Sequence, residues 1–115
     1  RNHFMKIDVQ TKDGYIYVEP QERIDSNTSP YFQKALEEAG SPAANYIINL
    51  DHVPYISSAG LRVVMVAAKA CSTANGSLIL CGLTGVVKEV FEISGFNTIL
   101  TICPDVTAAE KLLLK

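Results

Sequence analysis

Apolar and polar residues alternate along Met5-Lys6-Ile7-Asp8-Val9-Gln10, and Tyr15-Ile16-Tyr17-Val18-Glu19 is an aromatic and β-branched run. With Asp13-Gly14 between them, the two stretches predict a β-hairpin. Pro20-Gln21-Glu22-Arg23-Ile24-Asp25-Ser26-Asn27 holds one large apolar residue among polar ones. That pattern predicts a surface loop or a short extension of the sheet, pinned to the core through Ile24. Ser29-Pro30 then supplies a cap and a proline at the first helical position, and the helix runs from Tyr31 through Ala39 to a stop at Gly40.

Beyond the Ser41-Pro42-Ala43-Ala44 link, Tyr46 to Leu50 is a short apolar run that reads as a buried strand. After Asp51-His52-Val53-Pro54 the period changes: Leu61, Val64, Met65, Ala68 and Cys71 recur at helical spacing, predicting a helix from Ser58 to Thr73 stopped by Asn75-Gly76. Ser77 to Cys81 reads as another buried strand. Gly82-Leu83-Thr84-Gly85 opens a helix with Val86, Val87, Val90, Phe91 and Ile93 as its apolar positions, closed by Ser94-Gly95. Asn97 to Ile102 reads as the last strand, and Thr107-Ala108-Ala109-Glu110 has capping-box spacing for a final helix through Leu114. Strands alternating with helices imply right-handed crossovers. The expected fold is α/β: a single domain over residues 1–115, with a mostly parallel sheet, an antiparallel N-terminal edge hairpin and four helices.

The composition narrows the chemistry. A chain of 115 residues with 48% apolar and 19% charged residues can bury one core. A formal net charge of −2 gives no basic footprint for nucleic acid. Cys71, Cys81 and Cys103 lie far apart without C-x-x-C spacing, which fits reduced thiols in a cytoplasmic protein and neither a metal site nor a disulfide framework. No apolar run approaches the length of a membrane span, so a soluble chain without direct membrane insertion is expected. Residues 1–4 precede Met5 and read as an expression remnant, a disordered end or native sequence.

Tyr55-Ile56-Ser57-Ser58-Ala59-Gly60-Leu61-Arg62 sets two hydroxyls between a strand and a helix. A serine there can cap the first helical turn, or carry a phosphate, since free amides and the helix dipole favour negative charge at that end. A hydrolase elbow is broken, because Ile56 replaces its first glycine; the base would have to be His52, oriented by Asp51 or Asp25, and a solvated loop residue is the simpler role for His52. Neither a Walker-type nor a dinucleotide glycine motif occurs, and no cofactor is implied. Along the serine helix, Arg62, Val66, Lys69 and Thr73 form a stripe flanked by Val63 and Ala70. Such a face either docks a partner or is partly covered within the domain.

Taken together, the hairpin, the Glu22-Arg23-Ile24-Asp25 segment, Ile47-Ile48-Asn49-Leu50, Ser57-Ser58-Ala59-Gly60-Leu61 and Val86-Val87-Lys88-Glu89-Val90-Phe91-Glu92-Ile93-Ser94-Gly95-Phe96 resemble the STAS domains, and among them the stand-alone bacterial anti-sigma factor antagonists. The resemblance covers nearly the whole chain. It implies a non-enzymatic protein that binds an anti-sigma factor, itself a serine kinase, while unphosphorylated and lets go when phosphorylated, thereby controlling sigma-factor-dependent transcription. Registering the family's serine motif on Gly60-Leu61 places the phosphoacceptor at Ser58. Ser57 stands where the family usually has aspartate, which removes a negative charge beside the acceptor and makes Ser57 a second candidate acceptor. Asp25 matches the family's surface acidic position near the serine loop. The implied docking face comprises Asp25, Ser57, Ser58, Ala59, Gly60, Arg62, Val66 and Lys69, with no metal. The same fold also serves transporter and lipid-trafficking complexes as a regulatory subunit, the alternative it leaves open.

Overall fold

Strand residues with alternating or wholly apolar side chains must bury their faces against helices, and five such segments pair into one sheet here. The computed structural model describes residues 5–42 and 44–114; the expectation for residues 1–4 falls outside them. The elements are β1 (Ile7–Lys12), β2 (Tyr15–Pro20), α1 (Ser29–Ala39), β3 (Asn45–Asn49), α2 (Ser58–Thr73), β4 (Ser77–Cys81), α3 (Gly85–Ser94), a 3₁₀ turn (Phe96–Thr98), β5 (Thr101–Cys103) and α4 (Val106–Leu113). The sheet order is β1-β2-β3-β4-β5, with β1 antiparallel to β2 and every other pair parallel. The α/β fold expected from the alternation, with its edge hairpin and four helices, is what forms. Gly14 takes the positive φ of +87° that the two-residue hairpin turn needs.

Because side chains alternate across a strand, the sheet has two unlike faces. Ile16, Val18, Tyr46, Ile48, Leu78 and Leu80 meet α1, α2 and α3 through Phe32, Leu36, Leu61, Val64, Cys71, Val87 and Phe91. On the other face Ile47, Ile79 and Cys81 form a smaller cluster with Ala109 of α4. Burial there pushes the Cys81 thiol up to about 12, so it is a protonated core group. Ile24, alone in its polar segment, is fully buried and pairs in parallel with Ile56. The expected pin is therefore also a one-residue extension of the sheet.

Several boundaries differ from the sequence expectation. The last strand is only Thr101–Cys103, because Thr98 Oγ1 donates to the Gly95 carbonyl and the Ile99 and Leu100 amides fold back onto Phe96, keeping Asn97 to Leu100 out of the ladder. The capping box at Thr107 and Glu110 does not form. Asp105, two residues earlier, accepts from the Ala108 amide at 2.9 Å and starts α4, while Glu110 accepts a hydrogen bond from Tyr15 across the sheet. At α1 the junction residue is Thr28, and Ser29 is already helical. Gly40 ends that helix in an extended conformation, where an added Cβ would lie 2.4 Å from Ile16 Cδ1, so close approach to the sheet sets the residue. In α3, Val86 and Ile93 are exposed rather than buried; Val87 and Phe91 alone turn fully inward.

Candidate functional site

The two hydroxyls of the serine loop are put to different uses by the helix that begins between them. Ser57 has extended backbone angles and its Oγ accepts from the Gly60 amide at 3.3 Å, with its carbonyl accepting from the Leu61 amide, so Ser57 is the cap. Ser58 is the first residue of α2, is exposed, and its hydroxyl makes no hydrogen bond with the described residues. The amides of Ser58 and Ala59 are likewise unpaired among the described residues. No acidic side chain occupies the first turn. A small nucleophile thus sits where negative charge is favoured and is not yet supplied.

Two backbone hydrogen bonds fasten the Asp25 loop to the serine loop: the Ile24 amide donates to the Tyr55 carbonyl at 2.9 Å and the Ser57 amide to the Ile24 carbonyl at 2.8 Å. Asp25, half-buried, accepts from the Asn27 amide at 2.9 Å and the Thr28 amide at 3.1 Å, and pairs with Arg23 Nε at 3.0 Å. The Thr28 amide is the main influence holding its carboxyl below the ordinary range, helped by the Asn27 amide, the Thr28 side chain and the Arg23 guanidinium. Arg23 in turn lies over the Tyr55 ring, 5.1 Å from its centroid. Asp25, Arg23, Tyr55 and Ser57 are therefore one stitched surface, and the structure brings the sequence-matched acid beside the serines.

Gly60 does not join that surface. It is buried, and a Cβ there would lie 2.6 Å from Ile24 Cγ2 and 2.7 Å from Ile56 Cγ1. Its role is to let α2 settle against the isoleucine pair, a correction to its expected place on the docking face. Arg62, Val66 and Lys69 are exposed along α2, Val66 at 60%, and Ala59 is half-buried. Val63 is buried, so the open question about this helix resolves into a covered flank and a free stripe.

A groove of about 810 Å³ runs between α1 and α2. Pro30, Gln33 and Leu36 line its α1 side, and Ser58, Arg62, Val66 and Ala70 its α2 side. The sequence reading missed the α1 wall, although Pro30, Gln33 and Glu37 recur at helical spacing and could have marked an outward face. His52, the only histidine among the described residues, has Nδ1 2.7 Å from Glu19 Oε2. Neither serine hydroxyl bonds to it, so the relay a hydrolase would need is not assembled here. Among the described residues no group of three or more His, Cys, Asp or Glu could hold a metal ion, and no helix is long and apolar enough to cross a membrane.

Comparison with known proteins follows the same outline. Residues 6–109 match the model of the STAS domain. A Bordetella bronchiseptica protein named as an anti-sigma factor antagonist, BtrV, is 35% identical over 106 residues, covering 91% of each chain. A Thermotoga maritima protein described as an anti-sigma factor antagonist superposes with a TM-score of 0.88 at 17% identity, over 95% of both chains. The Bacillus cell fate determinant SpoIIAA in its phosphorylated form superposes with a TM-score of 0.67 at 13% identity, over 93% of this chain and 99% of that one.

Proposed function

The chain belongs to the STAS domain family, in its anti-sigma factor antagonist branch, and from that premise we propose that it binds a cytoplasmic anti-sigma factor with serine kinase activity while Ser58 is unmodified, and releases it when Ser58 carries phosphate. The observation that carries the proposal is the state of Ser58: exposed, without a hydrogen bond among the described residues and first in its helix, on the rim of the α1–α2 groove. The docking face is Asp25, Ser57, Ser58, Ala59, Arg62, Val66 and Lys69. Ser58 is the acceptor ahead of Ser57, whose oxygen would first have to turn off the Gly60 amide.

Phosphorylation adds about −1.5 to −2 charges and three acceptor oxygens. The helix start tolerates them, favourably by about 0.3–1 kcal/mol at an exposed end. Among the described residues no hydrogen bond of the Ser58 side chain is lost, so the packing beneath it is left in place. A partner packed over the rim meets a charge it must desolvate, and each 1.4 kcal/mol of that cost weakens affinity about tenfold. The test is incubation with the cognate kinase and ATP, followed by phosphate mapping and binding titration. Ser58→Ala should bind without accepting phosphate, and Ser58→Asp should bind at least about tenfold more weakly. Phosphate transfer to Ser58→Ala, or unchanged binding by Ser58→Asp, overturns the proposal.

A further inference from the structure

Resting on that reading of Ser58, we infer that Arg62 is a positioning residue for the phosphate: its guanidinium draws the phosphoryl group of phospho-Ser58 along α2 and holds it at the mouth of the α1–α2 groove. Three observations combine. Ser58 and Arg62 are four residues apart on one helix, so their side chains are neighbours on its surface, and the anionic member stands N-terminal to the cationic one, the favourable order. Both are exposed and both line the same groove. Arg62 also makes no ion pair among the described residues, whose pairs are Arg23 with Asp25 and His52 with Glu19; Glu37, the acid that lines the same groove from α1, accepts instead from Gln33 at 3.1 Å.

The planar guanidinium can give two parallel N–H bonds to phosphate oxygens, which lysine cannot reproduce. Modification then does two things at the docking face. It adds charge, and it converts Arg62, a cation with no ion pair among the described residues, into half of a bulky pair standing over the rim beside Val66 and Ala59. A partner group that entered the groove past Ser58 would have to displace that pair.

The test uses full-length chain with phosphoserine incorporated at position 58 during translation, so no kinase is required. The pH titration of its ³¹P resonance reports the second phosphate ionisation, which a neighbouring guanidinium lowers. With arginine at 62 that ionisation should fall about 0.5 unit below its value in Arg62→Gln, and the gap should close in high salt. Arg62→Lys should lie between the two. The helix dipole acts on all three alike and drops out of the comparison. Equal titration midpoints for arginine and glutamine at position 62 would overturn the inference while leaving Ser58 as acceptor untouched. Failure of kinase transfer or of partner release would instead defeat the functional reading and leave the ³¹P difference standing.

Discussion

Replacing Gly60 by alanine tests whether the serine loop and the Asp25 loop are held as one surface. In isolation the change favours the helix by up to about 1 kcal/mol. Against that gain, the new methyl carbon falls 2.6 Å from Ile24 Cγ2, 2.7 Å from Ile56 Cγ1 and 3.3 Å from Ile24 Cβ. Both isoleucines are buried to within 1% of completeness and β-branched, so neither can turn aside cheaply. Their backbones are tied together through the Tyr55 carbonyl and the Ser57 amide. Overpacking such a site costs about 1–3 kcal/mol. The net expectation is a loss of about 1 kcal/mol, read in thermal unfolding by circular dichroism as a midpoint lower by about 4 °C. The same shift should weaken anti-sigma factor binding, because relief of the clash moves the Asp25 loop relative to Ser58. In an Ile24→Ala background the penalty of Gly60→Ala should shrink, which a double-mutant cycle measures directly. A Gly60→Ala protein melting higher than the parent would refute the close packing and with it the single docking surface.

The remaining predictions concern the groups around that packing. Ser57→Ala should cost about 1 kcal/mol in urea unfolding by removing the cap acceptor, whereas Ser57→Asp should stay within a few tenths, since aspartate caps as well as serine; a neutral Ser57→Ala would show that the Gly60 hydrogen bond contributes nothing. Asp25 has a depressed folded-state pKa, so below its unfolded value the unfolded chain binds more protons and stability falls as pH drops. Urea unfolding from pH 7 down to pH 3 should therefore show the parent converging on Asp25→Asn as the acid range is entered; a constant gap across that range would refute the assignment.

Much of the fold was legible because the hydrophobic periods are clean. The apolar runs of β3 and β4 and the 3.6-residue spacing in α2 each point one way, and right-handed crossovers leave little choice of topology. The errors share a physical origin. Ile99, Leu100 and Ile102 look like one strand, but Gly95 at φ +78° and the Thr98 hydroxyl wind the chain into a 3₁₀ turn first, a local hydrogen-bonding preference that apolar patterning does not record. At α4 two caps compete for one helix. The sequence pattern favoured Thr107 with Glu110, but Glu110 is taken by Tyr15 from a strand 95 residues away, a partner visible only after the sheet has formed.

At the site, spacing alone placed Arg62, Val66, Lys69 and Thr73 on one stripe of the serine helix, and the family resemblance added Ser58 to the face. It could not divide the labour between two adjacent serines. That division follows from where the helix starts: Ile56 is drawn inward by its pairing with Ile24, which leaves Ser57 at the last extended position and turns Ser58 outward. Gly60 was misassigned for the same reason, since a small residue in a surface motif reads as exposed until the isoleucines beneath it are known. The separation matters for any switch built here. A hydroxyl that caps a helix is bound to the fold it would modify, whereas one with no hydrogen bond among the described residues can gain a charged group with little effect on the free domain's stability. The free energy of modification then falls on whatever touches the rim, as control of a partner requires.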